Sequence, residues 1–144
     1  MKNKVYIFFL LSFGVLMSYN IASPKSVPEV YIAFGHNLWE LDSLNTAILL
    51  ELTNNLKGYP KMHLKIKGYH STIEKDKISL KRAKSIRAFL KSHGCNKMKI
   101  EVMDMHDEEC GLILDFYSKI EKNIDRLNAI KYNRIVRFSI VDFQ

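Results

Sequence analysis

Residues 65–89 constrain the fold more than any other part of the sequence, because a strand pattern ends there and a helix pattern begins. Alternating apolar residues run up to Gly68, a short polar segment follows, and a basic amphipathic helix begins at Ile78. Such a junction is a corner between a strand and a helix. We interpret the other elements as the frame that holds this corner.

Two motifs in the sequence resemble those of OmpA-like (outer membrane protein A-like) peptidoglycan-binding domains. One follows the strand and starts the helix of the corner, and the other starts the family's last strand, where the family has Asn-Arg-Arg-Val. The resemblance covers residues 29–141, and its motifs are Gly68-Tyr69, Ile78-Ser79, Arg82-Ala83 and Asn133-Arg134-Ile135-Val136.

The resemblance implies a ligand for the corner. In the family, a corner Asp binds the ammonium group of a diaminopimelate residue in the peptidoglycan stem peptide, and the Arg at the helix start binds its carboxylate. Arg82 matches that Arg, and a guanidinium binds a carboxylate in a planar fork. His70-Ser71 stands where the family has Thr-Asp, the loop is shorter, and a Ser hydroxyl carries no charge.

Three outcomes therefore remain open for the ligand. Glu74 or Asp76, both in the shortened loop, replaces the missing anion; the peptide is bound weakly or in altered form; or the fold persists without this ligand. Asn133 and Arg134 either support the corner or serve as a turn residue and a strand cation. The predicted ligand-binding residues are Tyr69, His70, Ser71, Asp76, Arg82, Asn133 and Arg134.

Apolar periodicity predicts the element order β-α-β-α-β, an added helix, and a final strand. Together with the resemblance, this order predicts an α+β fold, an OmpA-like β-α-β-α-β(-α)-β sandwich with a mixed sheet and helices packed on one face. The final strand, apolar on both faces, is expected inside the sheet. The expected strands are 30–34, 62–67, 97–105 and 134–141, and the helices are 41–56, 78–93 and 112–130.

The helix starts carry candidate capping residues. Asp42 or Ser43 is expected to cap the first helix, and Asp76 or Ser79 the second. The buried stripe of the second helix is expected to contain Ala83, Ile86, Phe89 and Leu90, and its basic residues, including Arg82, are assigned to the other faces. The apolar face of the added helix is expected to hold Ile113, Tyr117, Ile120, Ile124 and Leu127.

The first 22 residues have the form of a secretory signal peptide, with Lys2 and Lys4 before a short apolar block and Ala22 at the expected cleavage site. Residues 23–28 are a Pro-marked linker, and residues 29–144 form the domain. With no Cys near the cleavage site, lipid attachment is not expected. We therefore expect an exported chain that does not span the membrane, located in the periplasm and associated with the outer membrane or the cell wall.

The charge balance suits an anionic partner. Removing Lys2 and Lys4 lowers the formal net charge from +7 to +5. A positive charge of this size favours binding to anionic polymers such as peptidoglycan, and it equally fits a basic domain without such a partner. Nucleic acid is not an expected partner, because an exported protein seldom meets it. Neither a phosphate-binding loop nor a nucleophile motif occurs, so the sequence predicts no enzyme and no cofactor.

The two cysteines of the expected mature chain are Cys95 and Cys110. A strand between them would hold them too far apart for a disulfide, unless the chain doubles back after Met105, so their pairing stays open. No metal site is expected at 106–110, because its potential ligands are consecutive.

Two functions are compatible with the sequence. The first is a non-catalytic cell-envelope module that binds the diaminopimelate-containing stem peptide of peptidoglycan, weakly or in altered form. The second is a protein-interaction or structural subunit of an envelope complex, which keeps the fold, has lost the ligand, and makes contact through helix 112–130.

Overall fold

The first strands of the protein are short and lie within the segment predicted to be a signal peptide. β1 (Phe9–Leu11) and β2 (Val15–Met17) pair antiparallel. Cleavage of that segment stays a prediction, as do the linker and domain boundaries. In the described part of the chain, no helix combines the length and the apolar character needed to cross a membrane. The computed structural model describes residues 9–11, 15–17, 30–108, 118–119 and 121–143.

The remaining strands form one mixed sheet in the spatial order β3-β6-β4-β5. β5 runs parallel to β4, whereas β6 runs antiparallel to both β3 and β4. β6 therefore lies inside the sheet, which explains why its sequence is apolar on both faces. The elements are β3 (Tyr31–Ala33), α1 (Ser43–Leu56), β4 (Met62–Gly68), α2 (Ile78–Ser92), β5 (Lys99–Asp104), α3 (Ile124–Lys131) and β6 (Ile135–Phe143).

α1 and α2 cover one face of this sheet, with the main hydrophobic core between them and the strands. Asp42 caps α1, since its side chain accepts a hydrogen bond of 2.7 Å from the backbone N–H of Asn45. The predicted stripe of α2 is buried except for Phe89, which packs at the margin. The most buried core residues are Ile32, Leu49, Met62, Ile66, Ala83, Ile86, Leu90 and Val136.

The start of α2 differs from the prediction, because neither Asp76 nor Ser79 caps it. The N-cap residue is Lys77, whose backbone is left-handed (φ 64°) and whose side chain makes no capping hydrogen bond. Ser79 is buried, and its hydroxyl donates to Asp104 at 2.5 Å instead. The tertiary contacts of the corner therefore position this helix start.

The added helix is interrupted, whereas the prediction has it continuous. Residues 121–123 are not helical, and α3 begins after Asn123. The side chain of Asn123 accepts hydrogen bonds from the backbone N–H groups of Asp125, at 3.0 Å, and Arg126, at 3.2 Å. The prediction of a continuous helix over 112–130 is therefore wrong at residues 121–123. Ile124, expected on an apolar face, is 67% exposed. The predictions for Ile113, Tyr117 and Ile120 lie outside the described residues.

α3 packs on the face of the sheet opposite α1 and α2. Its Ala129 and Ile130 join Tyr31 and Ile135 in a second, smaller core. Because side chains alternate along a strand, these two strand residues face away from the main core, which their neighbours enter. The α+β class, the element order and the mixed sheet are confirmed, and α3 adds a layer to the face that the first two helices leave.

Cys95 is a free cysteine and is almost fully buried. Burial raises the pKa of its thiol above the ordinary value, although Lys57 and Lys91 act in the opposite direction. The thiol is thus held in its neutral form within the core. Cys95 therefore takes part in no disulfide, and Cys110 lies outside the described residues.

Gly68 ends β4 at the closest approach between the sheet and α2. A Cβ atom at this position would lie 2.1 Å from the backbone oxygen of Ser79 and 3.2 Å from the Cβ of Ala83. Because the nearest atom belongs to the backbone, no side-chain rotation relieves the contact. Gly68 thereby allows the strand end to meet the first turn of the helix.

Replacing Gly68 by Ala should lower the free energy of unfolding by about 2 kcal/mol, because the helix must move away from the strand. Urea denaturation followed by circular dichroism measures the change. Gly58→Ala is the matched control, since its Cβ would meet only the Asn55 carbonyl oxygen at 3.7 Å, an ordinary contact. Equal unfolding free energies for the two variants would contradict the proposed close approach.

Candidate binding site at the corner between β4 and α2

Arg82 lies at the centre of the corner and is completely buried, although its position in the sequence pattern assigned it to a solvent-facing side of α2. Its Nη1 and Nη2 donate to the two carboxylate oxygens of Glu74, at 3.0 and 2.5 Å, in a bidentate ion pair. Nε donates to the carbonyl of Leu38 at 2.8 Å. The two Nη atoms also donate to the carbonyls of Tyr69 and Gly35, at 3.1 and 3.0 Å. Every N–H group of the guanidinium therefore has a partner within the chain.

Glu74 is as deeply enclosed as its partner, since neither side chain has exposed surface. Its carboxylate also accepts hydrogen bonds from the backbone N–H groups of Ser71, at 2.9 Å, and Asn37, at 2.8 Å. Burial acts to raise the pKa of Glu74, but the hydrogen bonds from Arg82, Ser71 and Asn37 outweigh it and hold the pKa below its ordinary value. The ionised carboxylate thus joins the loop after β3, the corner and α2.

His70 is buried in a chain of hydrogen bonds that links the corner to β5. The Ser79 hydroxyl donates its only proton to Asp104, so its 3.0 Å contact with Nδ1 of His70 is a hydrogen bond donated by the imidazole. The backbone N–H of His70 donates to the carbonyl of His106 at 2.9 Å. The imidazole of His70 therefore helps to hold the corner against α2 and β5.

Asn133 connects the start of β6 to the same corner. Its backbone is left-handed (φ 58°), a conformation that Asn adopts more readily than most residues. Its Nδ2 donates to the carbonyls of His70, at 3.0 Å, and Glu108, at 2.7 Å. The backbone N–H of Tyr69 donates to the carbonyl of Ile135 at 2.9 Å. Two successive corner residues are thus bonded to the beginning of β6.

A cavity of about 210 Å³ lies between the corner loop, residues 69–77, and the start of β6. The guanidinium of Arg134 lies over the ring of Tyr132, 5.5 Å from its centroid, and makes no hydrogen bond or ion pair with any described residue. The Arg134 guanidinium therefore lacks a counter-charge among the described residues, whereas the Arg82 guanidinium is paired with Glu74. The lining residues are His36, Ser71, Ile73, Tyr132 and Arg134.

Solved structures with the same arrangement of strands and helices identify the architecture. The chain is similar to the OmpA-like domain of FopA1 from Francisella tularensis, with a TM-score of 0.52 and 14% identity over 81% of this chain and 73% of that chain. The fold is OmpA-like. A second similar structure is the peptidoglycan-associated lipoprotein from Burkholderia pseudomallei, with a TM-score of 0.55 and 19% identity over 84% of this chain and 96% of that chain.

A third similar structure with an OmpA-like arrangement is the cell wall anchor of the T6SS from Pseudomonas aeruginosa, with a TM-score of 0.53 and 15% identity over 79% of this chain and 81% of that chain. No protein-family model matches the sequence, and no curated protein sequence matches it. At these low identities the likeness establishes the fold.

The OmpA-like corner of this chain differs from the sequence-based expectation in the partner of Arg82. The resemblance implies that this arginine meets a ligand carboxylate, whereas Glu74 of the same chain supplies the carboxylate here. Asp76, the other candidate anion, is exposed and makes no hydrogen bond with a described residue. The ligand-binding roles predicted for the corner residues stay predictions, although the structure gathers all of them except Asp76 around one network or its neighbouring cavity.

The cavity also contains residues that the sequence-based prediction missed. His36 follows β3, Ile73 lies in the corner loop and Tyr132 follows α3, so three separate segments contribute. No local spacing relates them, and only the sheet order β3-β6-β4 brings these segments together. The sequence allows Glu74 to replace the corner Asp, but it does not predict the pairing of Glu74 with Arg82.

Replacing Glu74 by Gln should lower the free energy of unfolding by about 3 kcal/mol at neutral pH, because Arg82 loses its buried counter-charge. Since the folded-state pKa of Glu74 lies below the ordinary 4.5, the wild type keeps this contribution above pH 4.5 and loses it as the pH falls through the folded-state pKa. The difference between wild type and variant should therefore shrink in acid.

Urea denaturation across this pH range measures that difference, and the exposed Asp76→Asn is the matched control in the same loop. A difference between the wild type and Glu74→Gln that stays constant with pH would argue against an ionised, paired carboxylate. So would an equal loss of stability in the control.

Proposed function

We propose that this protein is a non-catalytic cell-envelope domain that binds peptidoglycan in an altered form, without Arg82 as the carboxylate clamp. The observation that carries the altered form is the complete use of the Arg82 guanidinium by Glu74 and three backbone carbonyls. The OmpA-like fold, the predicted signal peptide and the names of the similar structures, a peptidoglycan-associated lipoprotein and a cell wall anchor, support the envelope setting.

A ligand carboxylate would have to displace Glu74 to reach Arg82. Displacement would break a buried bidentate pair and leave the Glu74 carboxylate without its counter-charge, a change that costs about 3–5 kcal/mol in comparable buried pairs. The ligand would also lose its own hydration on entering the corner. A peptide carboxylate in water therefore has little to gain at this site.

The ammonium group of diaminopimelate lacks its expected partner as well. Ser71 is uncharged, and the carboxylate of Glu74 is neutralised by Arg82. Asp104, the other acidic residue of the corner network, accepts hydrogen bonds from Ser79 and from the backbone of His106. Diaminopimelate differs from lysine by the carboxylate beside this ammonium group, and Arg82 is not free to bind it. We therefore expect no preference for diaminopimelate over lysine in the stem peptide.

Co-sedimentation of the purified protein with isolated peptidoglycan tests the proposal at low and high salt, since nonspecific attraction of a basic protein fades with salt. We expect salt-resistant binding, equal for diaminopimelate-containing and lysine-containing material. An Arg82→Lys variant that circular dichroism shows to be folded should bind as the wild type does, and the exposed Lys84→Gln serves as the charge control on α2.

Two results would contradict the proposal in different ways. Binding that disappears at high salt in all proteins would remove peptidoglycan as the specific ligand. Binding that only the folded Arg82→Lys variant loses would return this arginine to the ligand site.

The exposure of Ile124 supports a second candidate function, a protein-interaction subunit of an envelope complex. This residue begins α3 and is 67% exposed. Ile124→Asp should abolish self-association or partner binding measured by sedimentation velocity, while the fold is kept, because an acidic residue suits a helix N-terminus. Leu50→Asp, exposed on α1, is the control. Unchanged association in a folded Ile124→Asp protein would exclude this surface.

A further inference from the structure

Leu38 and Trp39 lie in the loop between β3 and α1, beside the outer side of α2. Both side chains are large and apolar, yet they are 53% and 37% exposed. We propose that they insert into the interfacial region of a phospholipid bilayer that carries anionic headgroups. This lipid-binding surface is separate from the buried pair of Arg82 and Glu74, and it goes beyond the proposed binding of peptidoglycan.

Two backbone carbonyls bond this loop to α2. The carbonyl of Leu38 accepts from Nε of Arg82 at 2.8 Å, and the carbonyl of Trp39 accepts from the hydroxyl of Ser85 at 3.0 Å. Because Arg82 is completely buried, the first of these bonds anchors the loop to the interior. The loop is thus ordered before it meets a bilayer, so little further order is lost when its exposed apolar side chains leave water.

α1 extends the apolar surface next to this loop. Its solvent-facing side carries Leu44, 37% exposed, Leu50, 41% exposed, and the exposed Ala47 between them. These positions lie within about 120° of one another around the helix axis. Glu51 is the only charged residue of the sequence from 43 to 56. The solvent-facing side of a helix normally carries several charged residues, so this side is suited to contact with an apolar phase.

α2 places cations beside the apolar surface. It lies next to α1 on the same face of the sheet, so the outer sides of the two helices face the same way. The outer side of α2 carries Lys81 and Lys84, which follow the exposed Lys77 at helical spacing. The ammonium group of Lys81 lies over the indole ring of Trp39, 4.4 Å from its centroid. Apolar side chains flanked by lysines match the two parts of a bilayer interface, its acyl chains and its anionic headgroups.

The charges around this surface favour an anionic bilayer over a second copy of the chain. In residues 35–57 and 75–92, the side chains that reach solvent carry seven positive and four negative charges, an excess that attracts anionic headgroups. The same excess opposes pairing of two copies through this surface, because like charges would then face each other. The acidic residues are Glu40, Asp42, Glu51 and Asp76.

Tryptophan fluorescence tests the proposal, since Trp39 is the only tryptophan of the sequence and reports on this surface alone. The purified protein is titrated with vesicles of phosphatidylcholine, and with vesicles of equal parts phosphatidylcholine and phosphatidylglycerol. We expect the anionic vesicles to shift the emission to shorter wavelength at a lipid concentration at least about tenfold lower than the neutral vesicles require. Brominated acyl chains should quench the shifted emission, because the indole then lies at their depth.

Substitutions of exposed residues separate the apolar and the charged contributions. Leu38→Ser and Leu44→Ser should each raise the lipid concentration at half-maximal shift about tenfold, because an apolar side chain no longer leaves water. Lys81→Gln should raise it about fivefold. The controls lie on α3, on the opposite face of the sheet. Ile124→Ser changes a more exposed apolar residue, Lys131→Gln changes an exposed cation, and neither should alter the titration.

Unchanged Trp39 emission with anionic vesicles would overturn the inference, also where the protein sediments with them through residues 5–17. Equal half-maximal concentrations for the two kinds of vesicle would overturn it as well, and so would effects of the α3 controls as large as those of Leu38→Ser.

The same signal distinguishes other occupants of this surface. An emission shift that appears at high protein concentration without lipid, and that Leu38→Ser removes, would replace the bilayer by a second copy of the chain. A shift caused by isolated peptidoglycan and not by vesicles would replace it by the cell wall. Vesicle binding without co-sedimentation with peptidoglycan would support the lipid-binding surface and overturn the proposed function alone.

Discussion

The buried ion pair between Arg82 and Glu74 is the interaction on which the arrangement of the corner depends. Two charges without exposed surface are unfavourable in a protein interior unless each has a full set of partners. Here the pair and its neighbouring hydrogen bonds connect three segments, which are the loop after β3, the corner loop and the start of α2. These three segments must therefore come together in one geometry, because any other arrangement leaves a charge unmatched.

This requirement also changes what the OmpA-like fold can do at its corner. A carboxylate from the chain itself occupies the arginine that the family resemblance assigns to a ligand. The guanidinium of the neighbouring Arg134, just before β6, makes no hydrogen bond with a described residue, and this arginine lines a cavity whose walls are apolar. The pairing of Arg82 thus changes the charges that the corner presents, while the strands and helices keep the OmpA-like arrangement.

The sequence predicts the fold well because hydrophobic periodicity records which face of each element is buried. The strand pattern ending at Gly68, one of the two candidate caps of α1, Asp42, and the doubly apolar β6 correspond to the structure. Where side-chain pairing overrides periodicity, the prediction fails. The pattern assigns Arg82 to the basic, exposed faces of α2, because no local feature of the sequence predicts its buried ion pair with Glu74.

The same distinction explains the errors at the two helix starts. At α3, an Asn side chain that caps the helix interrupts an apolar pattern that looked continuous. At α2, Ser79 has the residue type of a cap but is used for a hydrogen bond to Asp104 in β5. Capping propensity is a local property. It predicts the cap of a helix only where no distant acceptor binds the same hydroxyl.

The position of β6 has a consequence for the order in which the molecule assembles. Within the described chain β3 pairs with β6 alone, and Tyr31 lies opposite Arg137. β3 is synthesised early but cannot pair until β6, which is synthesised much later, is available. Contacts between such distant segments form slowly, since a long loop must close first. During synthesis and the predicted export, the sheet stays incomplete until residues 135–143 emerge. A translocation pathway that accepts only unfolded chains would therefore receive this one before its central strand has arrived.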